Sequence, residues 1–213
     1  MTEAVLAEQL TYLIGIFAIL NPLGAIPIYL GLMAGRGVEE MRRTALKTAV
    51  AVAAILISSV WAGESLLKFF GIGIPAFRIG GGILLLIIAI AMFDARISRV
   101  RHTQAEQDEA EAKDDISVVP MAVPLLAGPG AISLTIVDAH QAAGWSGKLM
   151  LSAGIILIAA IVCGVLLLAG PIGKRLGTTG LNIATRLMGL ILSAMAVQLM
   201  AGGLLSLFPG LAR

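Results

Sequence analysis

The sequence predicts an all-α membrane protein of six transmembrane helices, built as two inverted three-helix repeats in which helices 1 and 4 are broken near mid-membrane. Three observations point there. The 213 residues are 58% hydrophobic and only 13% charged, with a mean hydropathy of +0.97, whereas soluble domains are roughly 45–50% apolar and about 25% charged. The charges cluster, leaving charge-free stretches at 9–35, 48–63, 79–93, 116–137, 149–173 and 187–212. Short motifs of the first half also return in the second at a nearly constant offset.

A helix needs about 20 apolar residues to cross about 30 Å of hydrocarbon. Stretches one, four, five and six meet that length; the second and third extend to about Thr44 and Ile74, with Lys47 and Arg78 near the interfaces. Glu3 and Glu8, rather than basic residues, precede the first run, so it reads as a retained helix and not as a cleavable signal. That segment is apolar from Leu10 to Leu20, meets Asn21-Pro22-Leu23-Gly24 and continues to about Ala34. Asn favours the cap and Pro the first helical position, so one helix ends here and another starts. Gly80-Gly81-Gly82 and the Ala160/Gly164 pair read as close-packing surfaces.

Residues 94–115 carry eleven of the 28 charged residues (Lys, Arg, Asp and Glu together) and divide the chain into a first repeat, 1–93, a charged cytoplasmic linker and a second repeat, 116–213. The linker reads as a solvated connector without chemistry. The fourth segment repeats the break with Pro124 and then Gly128-Pro129-Gly130, Gly128 taking the cap position. Leu23-Gly24-Ala25-Ile26-Pro27 pairs with Pro129-Gly130-Ala131-Ile132-Ser133 at an offset of 106, and Ala76-Phe77-Arg78-Ile79 with Ala184-Thr185-Arg186-Leu187 at 108. An odd number of helices per unit makes the second copy enter from the opposite face, the inverted repeat of many secondary transporters.

A helix that restarts inside the bilayer leaves its first amides without intrahelical partners, and its dipole favours an anion there. The candidate binding residues are therefore Asn21, Pro22, Leu23, Gly24 and Ala25 at one break, and Gly128, Pro129, Gly130, Ala131, Ile132 and Ser133 at the other. A single break of this kind reads as a kink healed by its neighbours. Two at matching repeat positions, each with a start signal, favour a site for a carboxylate, and the small side chains around them limit its owner's size.

Orientation follows from eleven of the fifteen basic residues. Arg36, Arg42, Arg43, Lys47, Arg96, Arg99, Arg101, Lys113, Lys174, Arg175 and Arg186 fall on one side, against Lys68, Arg78, Lys148 and Arg213 on the other, so both termini are expected outside the cytoplasm. Lys174, Arg175 and Arg186 are read as the connection after the fifth helix. Arg78 and Arg186 read as interfacial anchors. Gln198 and Ser193 stand equally for substrate contacts or for bridges between helices. Glu64 and Asp138 fall near the extracytoplasmic boundary, and His140 in a loop there.

Several classes have no carrier. A net charge of +2 gives no case for nucleic acid, and the single Cys163 rules out an intrachain disulfide. No Cys/His cluster, Walker sequence or dinucleotide fingerprint implies a metal, ATP or nicotinamide cofactor. Ser133 and His140 are two turns apart, about 10 Å along an axis, too far for a nucleophile and its base. No enzyme is expected.

The runs Asn21-Pro22-Leu23-Gly24-Ala25-Ile26-Pro27-Ile28, Phe70-Gly71-Ile72, Pro75-Ala76-Phe77-Arg78-Ile79 and Val123-Pro124-Leu125-Leu126-Ala127-Gly128-Pro129-Gly130-Ala131-Ile132-Ser133 resemble those of the MarC family of inner-membrane proteins. That family includes proteins described as small neutral amino acid transporters. The resemblance covers nearly the whole chain and implies six helices, an inner-membrane location and glycine or alanine as substrate. Expected partners are a small neutral amino acid and the lipid bilayer, with a homo-oligomer left open. The alternative function is a non-transporting membrane scaffold or regulatory protein.

Overall fold

The computed structural model describes residues 2–93, 126–142 and 144–212. The charged linker and the first part of the fourth segment, including Pro124, lie outside the described residues. Those described form helices α1 (Thr2–Leu20), α2 (Pro22–Leu32), α3 (Val38–Phe69), α4 (Ile74–Phe93), α5 (Pro129–Gln141), α6 (Gly144–Leu167) and α7 (Ala169–Leu207), then a short 3₁₀ turn, Pro209–Ala212. Among them, five stretches are long and apolar enough to cross a membrane: Leu10–Leu32, α3, α4, α6 and α7. The chain is an all-helical membrane protein of six helices, α1 and α2 together making the first and α5 standing in the fourth.

Helix ends depart from the charge pattern in an instructive way. α3 begins at Val38, six residues before the expected Thr44, because Arg36 and Glu40 pair one turn apart and Glu39 and Glu40 sit at the positive helix end. α7 begins at Ala169, so Lys174, Arg175 and Arg186 are helical and not a loop. The direction changes instead at Gly177, whose φ of 61° and ψ of −179° suit glycine. His140 lies in the last turn of α5, not in a loop, and its Nδ1 is 3.4 Å from Glu64, which also pairs with Lys68 at 2.9 Å. Charge marks where a helix leaves hydrocarbon; it does not mark where the helix ends.

The first span is the most buried, with Ile16, Ile19, Leu20, Ile26 and Tyr29 each at most 1% exposed. Around it pack α7, α5 and α6, and large apolar side chains such as Val50, Ile87, Ile156 and Leu190 face outward to the bilayer. The Tyr29 hydroxyl donates to the Met41 carbonyl at 2.6 Å, tying α2 to α3. At the other end Trp61 Nε1 donates to Ser152 Oγ at 3.2 Å, and its ring meets that of Trp145, 77% exposed as an interfacial aromatic would be.

The closest helix pair is α4 with α7. A Cβ on Gly82 would lie 2.9 Å from the Ala196 carbonyl oxygen, one on Gly189 3.1 Å from that of Ala89, and one on Gly203 2.8 Å from that of Pro75. As the α4 residue number rises its α7 partner's falls, so the helices run antiparallel, backbone to backbone, over most of α4. In lipid, where apolar surface alone gives little reason to associate, such small-residue seams hold helices together.

Candidate functional site

Asn21 occupies the single non-helical position between α1 and α2, with φ 43° and ψ 59°. Asn tolerates this left-handed conformation better than most residues. Its Oδ1 accepts from the Gly24 amide at 3.2 Å, its own carbonyl accepts from the Ala25 amide at 3.2 Å, and Pro22, with no N–H, fills the first helical position. Two amides of this turn are thus already taken by Asn21, so α2 offers an anion less than its sequence implies. Asn21 is 1% exposed, and its Nδ2 is buried with no hydrogen-bond partner among the described residues. That nitrogen lies against Gly24, where Thr185 Oγ1 also approaches, 3.0 Å from a Cβ there.

α5 starts differently. Gly128 caps it in extended conformation with no side-chain bond, and Pro129 follows, so its first amides have neither an intrahelical partner nor a side-chain cap. Gly130 and Ala131 are buried, Gly128 and Ile132 half-buried and Pro129 exposed. A Cβ on Gly130 would lie 2.8 Å from Ile19 Cδ1, 3.0 Å from Ile88 Cδ1 and 3.1 Å from Leu85 Cδ2. Ile19 is two residues before Asn21, so this contact brings the start of α5 beside the junction of α1 and α2. The space around Gly130 is filled by these apolar side chains. Ser133 is 2% exposed; its Oγ faces Gly81 on α4 and has no hydrogen-bond partner.

Replacing Asn21 by alanine removes the cap and forces a Cβ without a polar group into a left-handed conformation. We expect a loss of about 1–2 kcal/mol in detergent-solubilised protein, and a smaller one for Asn21→Gly, which accepts the dihedrals. Thermal unfolding of the two variants measures this; equal losses would remove the conformational part of the explanation.

A cavity of about 570 Å³ lies beyond Ser133, at the end of the bundle where α3 passes into α4 and α5 into α6. α1 contributes Tyr12 to its wall, α4 Arg78, α5 Leu134 and Asp138, and α7 Met195, Gln198 and Leu199. Arg78 is half-buried and its Nε is sequestered without a hydrogen-bond partner. Its side chain thus faces the cavity, whereas Arg186, at the similar motif of the second half, is exposed. Gln198 faces the cavity, while Ser193 bonds back to the Leu190 carbonyl of its own helix at 2.8 Å. Asp138 lines the cavity; Glu64, paired on the surface, does not.

Sequence reasoning placed Arg78 by depth and missed its direction. The missed signal is spacing: Arg78 precedes Gly81 and Gly82 by three and four residues, so it shares the helix face that packs closest. Asp138 follows the buried Leu134 by four in the same way.

Comparison with known proteins agrees with this architecture. The chain is similar to a UPF0056 membrane protein of Buchnera aphidicola subsp. Acyrthosiphon pisum, 38% identical over 97% of this chain and 96% of that protein. It is 36% identical to the UPF0056 membrane protein YhcE of Escherichia coli over 94% and 93% of the two chains. With a UPF0056 membrane protein of Methanocaldococcus jannaschii the identity is 40% over 89% and 92%. No solved structure matches. The family model of MarC integral membrane proteins matches residues 6–208, and the chain belongs to that family.

Proposed function

We propose that this protein is an inner-membrane carrier, not an enzyme, for small neutral amino acids of the glycine and alanine kind. The observation that carries this reading is the uncapped start of α5 at Gly128-Pro129, on the same helix whose Leu134 and Asp138 line the cavity. Amides at such a start, with the dipole behind them, favour a carboxylate. The small side chains at Gly130, Ala131 and Ser133, with the close packing around them, suit only a small owner of that carboxylate.

The α4–α7 seam supports an inverted repeat. A shift of 107 residues carries Gly82 onto Gly189 and Ala89 onto Ala196, so Gly82 on Ala196 and Gly189 on Ala89 are one contact made twice, as a two-fold axis between antiparallel helices requires. The basic residues favour the cavity end as extracytoplasmic, with both termini there. The two helix breaks, at Asn21 and Gly128, then belong to equivalent helices near the membrane centre.

Purified protein in liposomes should take up labelled glycine and alanine well above empty liposomes, and unlabelled glycine should suppress this far better than glycinamide, whose neutral amide lacks the charge-assisted bonds. Equal suppression by glycinamide would show that the helix start does not read a carboxylate.

A further inference from the structure

Resting on the transport reading, we propose that the cavity is itself a binding site for zwitterionic amino acids, including ones too large to cross, in which Arg78 takes the carboxylate and Asp138 the ammonium. The Arg78 guanidinium lies along α7: its Nη2 is 2.7 Å from where a Cβ on Gly202 would be, so glycine at 202 clears its bed. Gln198, one turn from Gly202, lines the same cavity. A guanidinium carries five donors in a planar fork suited to carboxylate. Arg78 is half-buried, and its Nε is sequestered with no hydrogen-bond partner among the described residues. Membrane arginines that face a cavity rather than an interface mark ligand sites.

The opposite sign is present in the same space. Asp138, on α5, lines this cavity together with Arg78, on α4. A free anion would be drawn by one wall and repelled by the other, as would a free cation. An amino acid satisfies both at once.

Size separates this site from the helix starts. About 570 Å³ falls among pockets of about 300–1,000 Å³ that hold drug-sized ligands, so glycine would leave most of it empty. Its inner wall is apolar: Leu134 and Leu199 are 4% and 7% exposed, and Met195 and Leu134 both close on Gly15 of α1. A leucine side chain would rest on this floor. Beyond it Ser133 is packed against Gly81, and Gly130 against Ile19, Leu85 and Ile88, so that a large side chain is stopped there. The cavity thus selects by charge pattern and the helix starts by size, so leucine binds from the cavity side and blocks without crossing.

The test uses the full chain in detergent and three probes of one shape: labelled leucine, 4-methylpentanoate, which lacks the ammonium, and 3-methylbutylamine, which lacks the carboxylate. Equilibrium dialysis measures leucine directly and the others by competition. Arg78→Gln should weaken leucine and 4-methylpentanoate by about tenfold or more, while the amine, no longer repelled by the guanidinium, binds as well or better. Asp138→Asn should weaken leucine and the amine, while 4-methylpentanoate, no longer repelled by the carboxylate, binds as well or better. Arg78→Lys, keeping charge without the fork, should fall between. This reciprocal pattern is one that a merely structural role would not give. Unchanged leucine binding in both variants, or equal loss of all three ligands in variants that stay monodisperse, would overturn the site. Glycine uptake is measured in parallel: uptake without the reciprocal pattern leaves transport standing and removes the cavity site, and the pattern without uptake does the reverse.

Discussion

Leucine at position 82 is expected to destabilise the protein by about 3 kcal/mol, and leucine at 203 by as much, while leucine at position 80 changes stability by no more than about 0.5 kcal/mol. All three are glycines. A Cβ on Gly82 would meet the Ala196 carbonyl oxygen at 2.9 Å and the Met200 amide nitrogen at 3.2 Å; one on Gly203 would meet the Pro75 carbonyl oxygen at 2.8 Å. Backbone atoms cannot rotate away, so α4 and α7 must separate and lose their contact along the seam. Gly80 faces open space, with nothing within 4 Å of its Cβ position. Thermal unfolding in detergent reads the difference. If Gly80→Leu were as damaging as Gly82→Leu, the register of the two helices would be wrong.

Leucine at position 130 is expected to abolish uptake, reducing it by at least about tenfold per folded molecule. Its Cβ alone would crowd Ile19, Leu85 and Ile88 at about 3 Å, and the rest of the side chain would lie between α1, α4 and α5, on the path proposed for the substrate. These neighbours are flexible side-chain ends, so they yield more readily than backbone, and we expect overpacking of about 1–3 kcal/mol with the fold retained. Ile19→Val, which deletes the Cδ1 carbon nearest to Gly130, should recover part of the stability but little of the uptake. Uptake in liposomes, normalised to monodisperse protein, gives the result. Wild-type uptake by Gly130→Leu would place the passage elsewhere.

The membrane class was legible because hydrocarbon selects so strongly against charge, and the start of α4 at Ile74 agrees with the sequence reading. The length of α3 and the helical state of Lys174 and Arg175 were not legible from charge, because a helix continues into the interface on its own hydrogen bonds and ion pairs. Asn21 was legible as a cap; that its oxygen atoms would occupy the Gly24 and Ala25 amides requires its dihedrals. The cavity was the least legible. Arg78, Asp138 and Gln198 come from α4, α5 and α7, and nothing in a linear sequence says that three helices turn these residues toward one space. The helical spacing of Arg78 from Gly81 and Gly82 was the nearest available signal.

Counterflow tests the carrier reading most directly. Liposomes containing the purified protein are loaded with unlabelled alanine and diluted into a trace of labelled glycine. A carrier with one shared, alternately exposed site draws labelled glycine inward above its outside concentration for as long as the alanine gradient lasts, and external leucine suppresses the peak without being accumulated. Equilibration of label without an overshoot, or no movement of label at all in protein that is folded and inserted, would contradict the account.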